Sequence, residues 1–185
     1  AGGITWATGN AISGPGTLVI PTGETLALLT TADRVLDNVR LDNAGIISSA
    51  MGSRNLFVNN GAVINNSGTF QFQSGSNDAI NRNSGAGTFN NTGSIDSQAA
   101  GAAVTGVTLN NTGGTLAASG LNNLTINAPS NHNGALTFSG DKVFLSGGAQ
   151  AFADGSVING RLNLSGATAT FGSTTVNGLI NYTAG

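Results

Sequence analysis

Apolar residues in this chain come in short alternating runs and not in long stripes. Thr69-Phe70-Gln71-Phe72-Gln73, Leu124-Thr125-Ile126-Asn127, Leu136-Thr137-Phe138-Ser139 and Arg161-Leu162-Asn163-Leu164 each put every second residue on one face. That is the period of a half-buried strand. β-Branched and aromatic residues fill the apolar positions, and Asn-Gly, Ser-Gly and Asn-Asn pairs interrupt them too often for helices of ordinary length. The one stretch with helix-like spacing is Thr31 to Asp42, where Asp33, Asp37 and Arg40 share a face. Leu36 and Leu41 carry that stretch into the strand pattern that follows.

Above the strand period lies a longer one. Leu41-Asp42-Asn43-Ala44-Gly45-Ile46, Ile64-Asn65-Asn66-Ser67-Gly68-Thr69-Phe70, Phe89-Asn90-Asn91-Thr92-Gly93-Ser94-Ile95 and Leu109-Asn110-Asn111-Thr112-Gly113-Gly114-Thr115-Leu116 share one pattern. An apolar residue is followed by Asn/Asp-Asn, a small residue, Gly and a second apolar run. The glycines are 23, 25 and 20 residues apart (45 to 68, 68 to 93, 93 to 113). Further on, Ser146-Gly147, Phe152 and Val157 recur 19 residues later as Ser165-Gly166, Phe171 and Val176.

Strand-like repeats of about 20 residues with variable length mark a β-solenoid. The expected fold is all-β, a right-handed parallel β-helix of roughly eight or nine turns. At ~4.8 Å per turn it makes a rod of about 40 Å. Its hand follows from the general preference for right-handed crossovers. Residues 1–185 form one domain, with 1–16 as an N-terminal cap or assembly strand and repeats from about residue 17 onward. Ile64, Phe70, Phe89, Ile95, Leu109 and Leu116 should point inward. Asn43, Gly45, Asn66, Gly68, Asn91, Gly93, Asn111 and Gly113 mark a corner, where Gly and Asn tolerate left-handed backbone. Asn stacked at one corner can also form a ladder of side-chain amides.

Composition sharpens this picture. Charged residues are 8% of the chain, against roughly 25% in ordinary soluble domains. Gly numbers 29 and Asn about two dozen, so uncharged polar groups must supply the solvated surface. A hydrophobic content of 39% and a net charge of −2 argue against disorder. Like charges repeated at the spacing of stacked corners would repel, which accounts for their scarcity. The absence of cysteine removes disulfides, thiolate catalysis and Cys-ligated metal. No Lys/Arg cluster favours nucleic acid or an anionic membrane, and no apolar run approaches the ~20 residues of a spanning helix. The chain opens on Ala1-Gly2-Gly3, as a mature chain after cleavage or a segment of something longer would.

The run Gly14-Pro15-Gly16-Thr17-Leu18-Val19-Ile20-Pro21-Thr22-Gly23-Glu24-Thr25-Leu26, followed by Leu41-Asp42-Asn43-Ala44-Gly45 and the Asn-Asn-[Ser/Thr]-Gly repeats, resembles the repeat regions of large bacterial secreted surface proteins. These are the filamentous-haemagglutinin-like and autotransporter-type adhesins. The likeness covers most of the chain and is one of style. It implies a right-handed β-helix with an extracellular or cell-surface role, and it carries over no catalytic or binding residue.

Candidate chemistry is sparse. Glycosidase and lyase sites on β-helices need clustered carboxylates. Here the charge-rich stretch is Asp33, Arg34, Asp37, Arg40 and Asp42, which is expected to be a solvated, salt-bridged face. Asp78, Asp96, Asp141 and Asp154 stand apart beside turns, where Asp serves backbone hydrogen bonding. Asp78 and Asp96 are not quite one repeat apart. His132 has no nucleophile elbow to serve and is expected to be an ordinary loop residue. Neither a calcium-binding repeat nor a metal-ligand cluster is present, and no cofactor is implied. Lys142, the single lysine, gives no basis for an internal crosslink.

Asn-x-Ser/Thr sequons at Asn65, Asn90, Asn110, Asn123, Asn163 and Asn181 follow largely from the corner pattern. Thr168-Ala169-Thr170 and Thr174-Thr175 do not recur turn after turn as an ice-binding array would. Trp6 and Tyr182 lie near opposite ends, where they would cap the core. With Ile4 and Ile180 they are the candidate assembly ends. The reading is a non-catalytic extracellular fibre or scaffold that associates with itself or with further repeats. An adhesin contacting glycan or a host surface is the alternative, and a polysaccharide-acting enzyme is a third reading that the scattered carboxylates oppose.

Overall fold

A computed structural model describes residues 3–7, 9–29, 32–73, 78–98, 101–119 and 123–183. Those residues form 24 strands and no helix. The first turn holds β1 (Gly3–Trp6), β2 (Ala11–Ser13) and β3 (Thr17–Ile20), and the second β4 (Thr25–Leu29), β5 (Arg34–Asp37) and β6 (Arg40–Asn43). Then come β7 (Ile46–Ala50), β8 (Asn55–Asn59) and β9 (Ala62–Asn66), and β10 (Thr69–Phe72), β11 (Ala79–Asn81) and β12 (Gly87–Asn91). The fifth turn is β13 (Ser94–Ser97), β14 (Ala102–Thr105) and β15 (Thr108–Thr112). The sixth and seventh are β16 (Thr115–Ala117), β17 (Leu124–Asn127) and β18 (Ser130–Asn133), then β19 (Ala135–Ser139), β20 (Val143–Gly147) and β21 (Ala149–Phe152). β22 (Val157–Ser165) and β23 (Thr168–Phe171) make the eighth, and β24 (Thr175–Thr183) begins a ninth.

Each strand pairs, always in parallel, with the strand one turn before or after it, so the chain is a β-solenoid of about eight turns with three faces. Face one runs from β1 through β4 to β19, face two from β2 through β5 to β20, and face three from β3 through β6 to β23. β22 and β24, nine residues each, bend around a corner and belong to faces one and two together. The stretch 1–16 contains β1 and β2, hydrogen-bonded in the same register as later turns. Of the stretch with helix-like charge spacing, Thr31 lies outside the described residues, and residues 32–42 contain β5 and most of β6 and no helix.

Register explains the repeat. On face one Thr25, Ile46, Thr69, Ser94, Thr115 and Thr137 stack in a single row. On face three the row is Leu18, Leu41, Ile64, Phe89 and Leu109. Ile64, Phe70, Phe89, Ile95, Leu109 and Leu116 are all fully buried, and Phe70 meets Phe72 and Phe89 at ring distances of 5.1 and 5.8 Å. Strict alternation stacks these apolar rows turn on turn, so the hydrophobic core is one continuous column.

Two sequence alignments shift by one residue. Ser94 pairs with Thr115, which puts Gly114 and not Gly113 beneath Gly93; Gly113, at φ 65°, absorbs the extra residue. Thr175 pairs with Val157, so Val176 lies beneath Ile158. Gly113 has the left-handed backbone expected of a corner glycine, but the other three owe their identity to something else. Gly45, Gly68 and Gly93 are absent from the positive-φ residues. A Cβ on Gly68 would overlap the carbonyl oxygen of Gly45, and one on Gly93 that of Gly68. Glycine is required there by the close approach of successive turns.

Candidate functional site

The charge-rich stretch does not converge. Arg34, Asp33 and Asp37 belong to face two and its corner, while Arg40 and Asp42 lie on face three. Arg34 overturns the expectation of a solvated face, because it is fully buried. Its guanidinium donates to the main-chain oxygens of Trp6, Leu29, Ala32 and Asp33 and lies 5.8 Å over the Trp6 ring. Burial lowers its pKa and Asp33 opposes that, but a guanidinium satisfied by carbonyls stays charged. Arg34 therefore ties the first turn to the second. Asp33 accepts from the Asn55 amide at 2.8 Å and Asp37 from Asn60 at 2.8 Å, so both staple the next turn.

The isolated acids do similar structural jobs. Asp78 is fully buried where face one turns into face two, and it accepts from Ser49 Oγ (2.9 Å), the Met51 amide (3.0 Å) and the Ser53 amide (2.9 Å). These contacts hold a tight bend in which Gly52 and Ser53 have positive φ. Asp96 accepts from Ser119 and Gln98. Among the described residues no group of three His, Asp or Glu could hold a metal ion.

His132 is the largest departure from expectation. It is no loop residue: it lies in β18, 1% exposed, in the inward row of face three. Its ring stacks on Phe152 at 4.6 Å, and Phe152 stacks on Phe171 at 4.8 Å. Nε2 faces Gln150 Oε1 at 3.2 Å, whereas Nδ1 is buried with no hydrogen-bond partner. Burial pushes its pKa down to about 4, against a smaller upward pull from Gln150. At neutral pH the imidazole is uncharged.

Two amide ladders flank the same strands. The inner one is Asn43, Asn66, Asn91 and Asn111, each 1% exposed or less. Asn43 donates to Asn66 (2.6 Å), Asn66 to Asn91 (2.7 Å) and Asn91 to Asn111 (2.7 Å). The second N–H of Asn43 and of Asn66 reaches the main-chain oxygens of Thr69 and Ser94. Those carbonyls can only accept, so they set the direction, with donors pointing toward the C-terminal turns. Asn43 Oδ1 consequently has no donor, because the apolar Ile20 occupies its row in the turn before.

The outer ladder lies one residue back on the solvent side and runs the opposite way. Asn131 donates to Asn110, Asn110 to Asn90 and Asn90 to Asn65, each at 2.8 Å, and Asn65 donates to Asp42 at 2.7 Å. The two oxygens of Asp42 also share the single N–H of Arg40 Nε (2.7 and 2.9 Å). The Arg40 contact, with help from Asn65, holds the Asp42 carboxyl below the usual range despite partial burial. A carboxylate offers no donor, so Asp42 fixes the orientation of every amide beyond it.

Beside this ladder lie two shallow cavities, one along its N-terminal and one along its C-terminal turns, walled in part by the residue two positions after each amide and in part by apolar side chains such as Val19 and Phe152. One cavity of about 310 Å³ is lined by Asp42, Asn65, Asn90, Ser67 and Thr92, among others. A second, of about 370 Å³, is lined by Asn110, Asn131, Thr112, Asn133 and Thr170 among others. The inner ladder is the stack of corner amides that the repeated asparagines implied. The outer ladder, its opposite direction and the cavities beside it left no trace in the sequence beyond the doubled Asn of each repeat.

At the two ends, Ile4 is 47% exposed and Trp6 is buried beside Arg34, while Ile180 is half-buried and Tyr182 is 67% exposed. Compared with protein-family models, with curated proteins and with solved structures, the chain matches none of them.

Proposed function

We propose that this chain is a non-catalytic extracellular structural element, a β-solenoid fibre or scaffold segment of the secreted bacterial surface kind, whose end turns stack on further turns. The partner turns belong to a second copy or to more repeats of the same protein. The observation that carries this reading is the last described turn. Phe171, Val176 and Tyr182 continue the inward rows of Phe152, Ile158 and Leu164, yet they are 40%, 41% and 67% exposed. An inward row that ends in water is an apolar surface shaped for one more turn, and the edge of β24 offers unpaired backbone groups alongside it. The test is negative-stain electron microscopy with light scattering across concentration. Regular filaments that vanish on deletion of residues 1–10 support the reading; a monomer at every concentration sinks self-assembly.

A further inference from the structure

The outer amide ladder has hydrogen-bonding capacity left over. An asparagine side chain has two N–H donors and two carbonyl lone pairs. In the ladder Asn65, Asn90 and Asn110 each spend one N–H on the amide or carboxylate before them and one lone pair on the amide after them. One donor and one acceptor per residue therefore remain after these contacts, repeated in the same orientation at each turn because Asp42 sets the phase. Ser67 and Thr92 turn their hydroxyl hydrogens onto main-chain oxygens of the preceding turn, which leaves hydroxyl lone pairs on the opposite wall. The two cavities along this line fall in the size range of small-ligand clefts, about 300–1,000 Å³.

From this array the geometry points to a binding groove for an extended, uncharged polysaccharide that lies along the rod axis of face three, with one sugar per turn. Period is the first argument. The turns rise ~4.8 Å, so an extended peptide, at ~3.3 Å per residue, loses register at once. A β-1,4-linked pyranose chain advances per sugar by slightly more than one turn's rise, with alternate rings inverted, so like edges recur every second turn, and either edge presents hydroxyls that both donate and accept. Charge is the second argument. Arg40 and Asp42 neutralise one another at one end, and the other four ladder residues are amides, so the groove offers nothing to recognise an anionic polymer. The site is independent of what the end turns do.

The assay is isothermal titration of the whole chain with cellohexaose and chitohexaose, alongside cellobiose and an oligogalacturonate, while light scattering of the same sample reports assembly separately. Expected are binding of at least one hexasaccharide, a gain in affinity from disaccharide to hexasaccharide, and little response to the anionic oligomer. T112R projects a bulky side chain into the groove from an exposed position and should weaken binding by roughly tenfold or more, the loss of one or two hydrogen bonds. S139R, exposed on face one, should not change it. No binding by either hexasaccharide, equal affinity for short and long chains, or unchanged binding in T112R each overturns the proposal. So does a doubling of mass that T112R abolishes, which would make a second copy the occupant of this face.

Discussion

Asn43 and Asn91 sit in the same inward row, yet their removal should have unequal costs. Asn91→Leu strands one N–H of Asn66 and the Oδ1 of Asn111, two new buried groups without partners. At about 1–3 kcal/mol each, the fold should lose about 3 kcal/mol. Asn43→Leu strands Asn66 Oδ1 but removes an Asn43 Oδ1 that is already orphaned, and it extends the apolar row of Ile20. Its cost should stay within about 1 kcal/mol. Urea unfolding of the two variants checks this; equal losses would show that the ladder is not acting as a directed chain. His132 gives the second residue-scale prediction. Its pKa lies near 4 in the fold and near 6.5 in an ordinary imidazole, so between those values the unfolded chain binds the extra proton. Stability should therefore be full above about pH 6.5, decline as pH falls toward 4, and lose about 3 kcal/mol over that window. Asp42, held below the carboxylate range by Arg40, contributes above its ordinary pKa and loses that contribution only at lower pH. Thermal unfolding of H132F should show no slope in the upper window; a slope equal to that of the parent chain would assign the acid sensitivity elsewhere.

Among the elements, corners constrain more tightly than strands. Gly68→Ala must push against the main-chain oxygen of Gly45 one turn below, a clash that no rotamer relieves. The expected loss is about 3 kcal/mol. Gly155 has open space around its Cβ position and pays only for its φ of 79°. Gly155→Ala should therefore cost about 1 kcal/mol, and chemical denaturation of the pair distinguishes crowding from backbone strain. That distinction also marks the limit of what the sequence could tell. Alternation around Phe70, Leu124 and Leu136 reveals strands because the period of a strand is local. The Asn-Asn-[Ser/Thr]-Gly repeat reveals turns because stacking makes sequence periodic. But the reason for Gly93 lies in a neighbour 25 residues away, and one-residue changes at Gly113 and Val176 are decided by how each corner closes. His132 was misread for the same cause. Its flanking Asn131 and Asn133 resemble a loop, and only the register with Asn111 shows that it replaces an asparagine in the inward row.

At the scale of the whole rod, the chain carries its own length gauge. Trp6 lies in the first turn and Tyr182 in the ninth, and they are the single Trp and Tyr of the sequence. Eight turns separate them along the axis, roughly 40 Å at ~4.8 Å per turn. Energy transfer from tyrosine to tryptophan within one copy should accordingly be weak. If rods stack head to tail, Tyr182 of one copy arrives about one turn from β1 of the next, and transfer should rise with protein concentration. Stability in a solenoid is a sum of neighbouring-turn contacts, so covering β24 should also protect its amides from hydrogen exchange in the same concentration range. Tyr182→Phe removes the donor while leaving the apolar ring, and it should abolish the fluorescence signal without abolishing assembly by light scattering. Assembly with no change in transfer would mean that copies join by their faces. The groove beside the outer ladder, and not the end turns, would then be the first surface to suspect.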